Sequence, residues 1–140
     1  MLKFVQIFAL FLLSPFALFA QITGSWKTID DETGKEKSIV KIYEAQNGMY
    51  YGKISTLLDK DKGDNPICDV CPDDRKNKPV LNMVIIKELS KNGDTYSGGK
   101  ILDPQKGKEY SCKIWREGEN LKVRGYWGMF YRTQTWYKVK

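Results

Sequence analysis

Ser38-Ile-Val-Lys-Ile-Tyr-Glu-Ala-Gln-Asn-Gly-Met-Tyr-Tyr-Gly-Lys-Ile-Ser-Thr-Leu-Leu58 holds two alternating runs on either side of Asn47-Gly48. In the first run Val40 and Ile42 share one face and Ile39 and Tyr43 the other. That is the period-two pattern of a strand with one side in a core and the other partly covered. Asn-Gly between two such runs is the strongest short-range hairpin signal, because both residues tolerate the positive φ of a tight turn. Gly52, inside the return run, marks a bend or bulge. The stretch reads as an antiparallel hairpin, and the fold depends on whether its neighbours extend it.

They extend it in both directions. Upstream, Gly24-Ser25-Trp26-Lys27-Thr28-Ile29 suits a strand and ends in the polar turn Asp30–Gly34. Downstream, Asn82 to Leu89 alternates Met83, Ile85 and Leu89 against Val84 and Ile86. Asn92-Gly93 then turns the chain into Thr95 to Asp103, which contains Gly98-Gly99. Pro104 and Gly107 shape the next turn. Lys108 to Trp115 places Tyr110, Cys112 and Ile114 on one face. After Glu117–Asn120, Leu121, Val123 and Trp127 oppose Lys122 and Arg124. In the last run, Phe130 to Val139, Tyr131, Thr133, Thr135 and Tyr137 oppose Arg132, Gln134 and Trp136.

Eight strand-like runs joined mainly by short turns, with no amphipathic helical pattern after residue 20, predict an all-β fold. The expected architecture is a single antiparallel up-and-down β-barrel of about eight strands, with one long loop between strands 3 and 4. Closure removes sheet edges, and glycines 52, 98, 99 and 125 supply the bends that barrel strands need.

Residues 1–20 read as a signal peptide: Lys3 precedes an almost wholly apolar run from Phe4 to Phe19, and Ala20 is a small residue suited to cleavage. The run is short for a membrane span. Cleavage would leave 21–140 as one domain that does not span a membrane and is exported to the periplasm or secreted. The net charge of +6 is spread as alternating Lys and Asp/Glu, a solvated mixed-sign surface rather than a nucleic-acid footprint. Histidine is absent. That removes Ser-His and Cys-His nucleophile pairs, histidine general bases and histidine metal sites. With no nucleophile motif either, the chain is not expected to be an enzyme, and no cofactor is expected.

The long loop carries Ile67-Cys-Asp-Val-Cys-Pro-Asp-Asp-Arg-Lys-Asn-Lys-Pro-Val80, which does not read as strand. In an exported chain a disulfide is the simplest state for its cysteines, either Cys68–Cys71 or a bond to Cys112. The inward-looking face of Cys112 favours the Cys68–Cys71 bridge. A thiol-exchange role would require the motif at a helix N-terminus, and that context is missing. Zinc would have only three cysteines and a carboxylate, so no metal site is expected. Pro72 stands where haem attachment needs histidine. The charged residues Asp73, Arg75, Lys76 and Lys78 read as a surface loop near a barrel opening, with a lid that presents cations to an anionic ligand as the sharper alternative.

Gly24-Ser25-Trp26 resembles the Gly-x-Trp of the first strand in calycin barrels, and Arg132 resembles the arginine that covers that Trp. This resemblance implies a Trp26–Arg132 pair closing the bottom of the barrel by guanidinium-indole stacking. It leaves Arg124 as the inward-looking cation for a ligand, with Tyr110, Tyr126 and Trp127 as aromatic neighbours.

The chain from Gly24 to Trp136 is similar to the exported bacterial domain of unknown function 2147 family. The similarity rests on Gly24-Ser25-Trp26, Asp31-Glu32-Thr33-Gly34-Lys35, Cys68-Asp69-Val70-Cys71, Lys76-Asn77-Lys78-Pro79, Gly99-Lys100-Ile101-Leu102-Asp103-Pro104 and Arg132-Thr133-Gln134-Thr135-Trp136. It implies a lipocalin-like barrel in the Gram-negative envelope and no particular activity. The expected function is a non-enzymatic module that binds a small apolar or anionic molecule. The alternatives are an envelope structural module that contacts another envelope protein, and a thiol-disulfide enzyme using Cys68 or Cys71.

Overall fold

The structure, a computed structural model, describes residues 21–140. The expected signal peptide, residues 1–20, lies outside the described residues. The strands are β1 (Gly24–Ile29), β2 (Glu36–Glu44), β3 (Tyr50–Leu57), β4 (Ile67–Cys68), β5 (Lys78–Pro79), β6 (Val84–Asn92), β7 (Thr95–Asp103), β8 (Lys108–Glu117), β9 (Asn120–Trp127) and β10 (Phe130–Lys138). Eight of them close into an antiparallel barrel in the order β1-β10-β9-β8-β7-β6-β3-β2. Apart from the long β3–β6 connection, consecutive barrel strands are joined by short turns. β4 and β5 form a separate two-stranded ribbon inside the β3–β6 connection, paired Ile67 with Pro79 and Cys68 with Lys78. The stretch expected to hold no strand thus carries a minimal one.

The antiparallel meander sorts its connections to two ends. The β1–β2, β7–β8 and β9–β10 turns and the long β3–β6 connection share one end; the other has the β2–β3, β6–β7 and β8–β9 turns, the start of β1 and the end of β10. The second end is packed solid. Trp26, Ile42, Leu89, Tyr96, Ile114 and Leu121 are all at most 1% exposed there.

Strict alternation breaks on β6. Ile85, Ile86 and Leu89 are all buried, because the pairing with β3 shifts register twice, at Ile85 and at Glu88, which takes a positive φ of 59°. The Glu88 bulge is accommodated by Gly99 on β7, where a Cβ would collide with the Lys87 carbonyl oxygen. Across β3, a Cβ on Gly52 would lie 2.9 Å from Ile86 Cδ1, so this glycine makes the room that Ile86 fills.

The closed end is capped by an arginine, and it is not Arg132. The Arg116 guanidinium lies 5.1 Å from the centre of the Trp26 ring. Its Nη1 donates to the Gln21 carbonyl at 2.8 Å, and Nε and Nη2 donate to the Gly118 carbonyl. Trp26 Nε1 donates to the Ile22 carbonyl at 2.8 Å. The expected Trp26–Arg132 pair fails on register: Trp26 lies opposite Lys138 of β10. Arg132 sits six residues back along that strand, at about 3.3 Å per residue, and so near the other end.

Candidate ligand pocket

At the other end the barrel is hollow. A cavity of about 580 Å³ runs down from the mouth, within the range of small-molecule sites, roughly 300–1,000 Å³. Its walls are Val40 on β2, Ile54 on β3, Ile85 on β6, Ile101 on β7 and Val123 on β9, with Trp136 on β10. These are inward positions of successive strands, so the apolar lining follows directly from the period-two pattern. A buried hydroxyl pair, Thr28 Oγ1 and Ser38 Oγ at 2.7 Å, interrupts the lining between β1 and β2.

The mouth is polar and organised around Asp31. Asp30 makes the β1–β2 turn, its Oδ1 accepting the backbone N–H groups of Glu32 and Thr33 at 2.9 and 3.0 Å. These bonds hold its carboxyl below the ordinary aspartate range. Asp31 is therefore not needed for the turn and faces the barrel. Its Oδ2 accepts Gln134 Nε2 at 2.6 Å and lies 3.3 Å from Arg132 Nε. Trp136 Nε1 donates to Gln134 Oε1 at 3.1 Å. Across the mouth, Lys37 Nζ reaches Gln105 Oε1 on the β7–β8 turn at 3.3 Å.

The structure separates the four expected ligand residues. Tyr110 and Trp127 lie on the pocket wall, their rings 6.0 Å apart, and Phe130 extends this aromatic rim. Arg124 and Tyr126 do not line the pocket. Both point outward because they are odd-numbered steps away from Val123 and Trp127 on the same strand. Arg124 instead lies over Tyr131 at 4.3 Å and Trp115 at 5.0 Å on the outer wall, its Nε donating to Thr133 Oγ1. Arg132 lines the pocket instead, together with Lys37, Lys106 and Lys108.

Neither Asp31 nor Gln134 was singled out from sequence, although the Arg132–Gln134–Trp136 alternation already places Gln134 beside Arg132 on the inner face. Arg116 was missed in the same way: extending Tyr110, Cys112 and Ile114 by two residues reaches it.

The cysteine loop is a strut and not a lid. Cys68 and Cys71 form a disulfide and are 4% and 3% exposed. Cys68 Sγ rests 3.3 Å from the Pro104 carbonyl oxygen, and Cys71 Sγ lies 4.0 Å from Met83 Sδ. Gly107, at φ 66°, abuts the Val70 carbonyl so closely that a Cβ would collide with it. The loop thus grips the outside of the β7–β8 turn, whose inside forms part of the pocket rim.

Arg75 pins the other end of the loop. It is buried, pairs with Asp73 at 2.7 Å and Glu109 at 2.5 Å, and donates Nη1 to the Val84 carbonyl at 3.0 Å. Hydrogen bonding to Arg75 holds the Asp73 carboxyl well below the usual range. None of Asp73, Arg75, Lys76 or Lys78 lines the barrel pocket, so the lid alternative finds no support, and Arg75 is buried rather than part of an exposed charged surface. Asp74, Arg75, Lys78 and Pro79 border a second hollow of about 600 Å³ on the outer wall. It is open to solvent and lacks the enclosing apolar strands of the first.

Buried sulfurs leave thiol exchange without an accessible atom. The third cysteine, Cys112, is 3% exposed inside the barrel, and burial pushes its thiol up to about 12. Among the described residues no group of three or more Cys, Asp or Glu side chains is placed to hold a metal ion.

The family of uncharacterised proteins conserved in bacteria, DUF2147, matches residues 24–138, the whole barrel. The chain belongs to the DUF2147 family. No curated protein matches the sequence. Among solved structures, this DUF2147 chain is similar to protein HP1028 of Helicobacter pylori, described as belonging to the lipocalin family. The two are 23% identical with a TM-score of 0.73 over 86% of this chain and 84% of that one. This likeness concerns the fold: a closed eight-stranded barrel of lipocalin type.

Proposed function

We propose that this DUF2147 barrel is a non-enzymatic module that binds one small molecule with an apolar body in the hollow half of the barrel. The observation that carries the reading is the coexistence of two different ends. One is capped by Trp26 and Arg116, and the other holds a cavity of about 580 Å³ with apolar walls and a polar, charged mouth. A barrel built only to be rigid would pack both halves. The walls supply hydrophobic burial, at about 25 cal/mol per Å² of apolar surface removed from water. The mouth supplies orientation.

Export to the bacterial envelope belongs to the same reading. Its supports are the apolar run 4–19 behind Lys3 and the Cys68–Cys71 disulfide, a bond that persists in oxidising compartments. Native mass spectrometry of the protein recovered from the periplasm of a bacterial host tests both parts. The expected result is a chain beginning near Gln21 with a single noncovalent small molecule. An unprocessed chain in the cytoplasm, or a purely apo mass that takes up no apolar probe, contradicts it.

A second reading rests on the β9–β10 hairpin tip, where Met129 is 87%, Phe130 61% and Tyr131 59% exposed beside Trp127. Such an exposed apolar patch fits contact with another envelope protein. Crosslinking in envelope extracts that captures one defined partner, lost in Met129→Ser/Phe130→Ser protein, would support it.

A further inference from the structure

We infer that the ligand is a carboxylate-headed amphiphile whose head displaces the Asp31 carboxylate from Arg132 and Gln134 at the pocket mouth. This rests on the binding reading above and names the ligand class for that site.

Asp31 shows what the mouth recognises. One carboxylate oxygen, Oδ2, occupies the point where Gln134 Nε2, at 2.6 Å, and Arg132 Nε, at 3.3 Å, converge. The polarity of Gln134 is not arbitrary. Trp136 Nε1 can only donate, and at 3.1 Å it fixes Oε1 inward, so the amide must turn its N–H donors to the mouth. Trp136 is itself 3% exposed and part of the apolar wall. Gln134 is therefore oriented from below by the same surface that would take an alkyl chain. Arg132 also keeps both terminal Nη groups without a hydrogen-bond partner among the described residues, a fork suited to a second carboxylate oxygen.

Asp31 is a removable occupant. The turn that carries it is closed by Asp30, through side-chain bonds to Glu32 and Thr33 and backbone bonds to Gly34 and Lys35. Arg132 is half exposed, at 53%, so exchanging one carboxylate for another leaves no buried charge unpaired. An incoming head gains the same two donors while its chain is buried below them. A neutral or cationic head would leave the Arg132–Asp31 pair intact and sit less deeply.

Isothermal titration with dodecanoate and with dodecanol, on wild-type, Asp31→Ala and Arg132→Met proteins, tests this. Dodecanoate should bind more tightly than dodecanol to wild type. Asp31→Ala should strengthen dodecanoate binding by about tenfold, and Arg132→Met should weaken it by about tenfold, the scale of one charge-assisted hydrogen bond. Dodecanol should change by less than about twofold in both, since each 1.4 kcal/mol is a factor of ten. If both probes bind with a ratio that neither substitution moves, the carboxylate assignment is wrong while the binding reading stands. If neither probe binds to any of the three proteins, the binding reading fails and this inference fails with it.

Discussion

Arg116, the last inward side chain of β8, lies 5.1 Å over the ring of Trp26 at the start of β1, and the pair seals one end of the barrel. The arginine also satisfies two backbone carbonyls that the barrel end would otherwise leave open, those of Gln21 and Gly118. Replacing Arg116 with Ala should cost about 1–2 kcal/mol, combining the stacking and hydrogen-bond contributions. Replacing Arg132 with Ala should cost less than about 0.5 kcal/mol, as for other exposed positions. Urea unfolding of the two variants checks this, and the reverse order would restore Arg132 to the cap.

Arg75 makes the loop's attachment acid-sensitive. The Asp73 carboxyl is held below its ordinary value of 3.8 chiefly by its hydrogen bonds to Arg75. A depressed folded value gives stability that is fully present above 3.8 and is lost as pH falls through the folded value. Asp73 is 43% exposed and Glu109 26%, so solvent screens the pairs and Arg75→Met should cost only about 1–2 kcal/mol. The variant should also lose part of the wild-type drop in stability below pH 4, about the ordinary aspartate range. Thermal unfolding from pH 2 to 7, as a rough span about that range, measures both effects.

The three cysteines should report their states to a thiol reagent. The native protein should show no reactive thiol, because Cys68 and Cys71 are bonded and Cys112 is buried. Denaturant alone should expose one thiol, and denaturant with reductant all three. The raised Cys112 value has its own consequence. A thiol kept neutral in the folded barrel, with a value near 12 against 9.0 unfolded, contributes stability below 9 that declines as pH rises towards 12. Cys112→Ala should flatten that alkaline decline.

Much of this architecture was legible in the period-two pattern. Asn47-Gly48 sets the β2–β3 hairpin, and Val40, Val123 and Trp136 share the inner wall that alternation assigns them. What alternation could not supply was the height of a side chain along the barrel, which depends on strand register. Arg132 and Arg116 both face inward, yet one stands at the mouth and the other at the closed end, and only the Trp26–Lys138 pairing separates them. Arg124 was misjudged for a simpler reason: its strand parity already put it with Lys122 on the outer face. The Glu88 bulge carries no clear sequence mark, since a positive φ at a glutamate runs against local preference and is accommodated by Gly99 across the ladder. Arg75 looked like one more exposed charge, because the partner that buries it, Glu109, is 34 residues away.

The central claim is that the hollow half of the barrel is the binding site, and a pocket-filling substitution tests it most directly. Val123 lines the cavity from β9 at 3% exposure, and Val123→Trp would occupy much of the space. Fluorescence titration of an anionic apolar dye, anilinonaphthalene sulfonate, should give saturable one-site binding to wild-type protein. The same titration should show binding lost in Val123→Trp protein that retains its β-sheet circular dichroism and cooperative unfolding. Equal dye binding by the two folded proteins would place the ligand elsewhere and contradict the account.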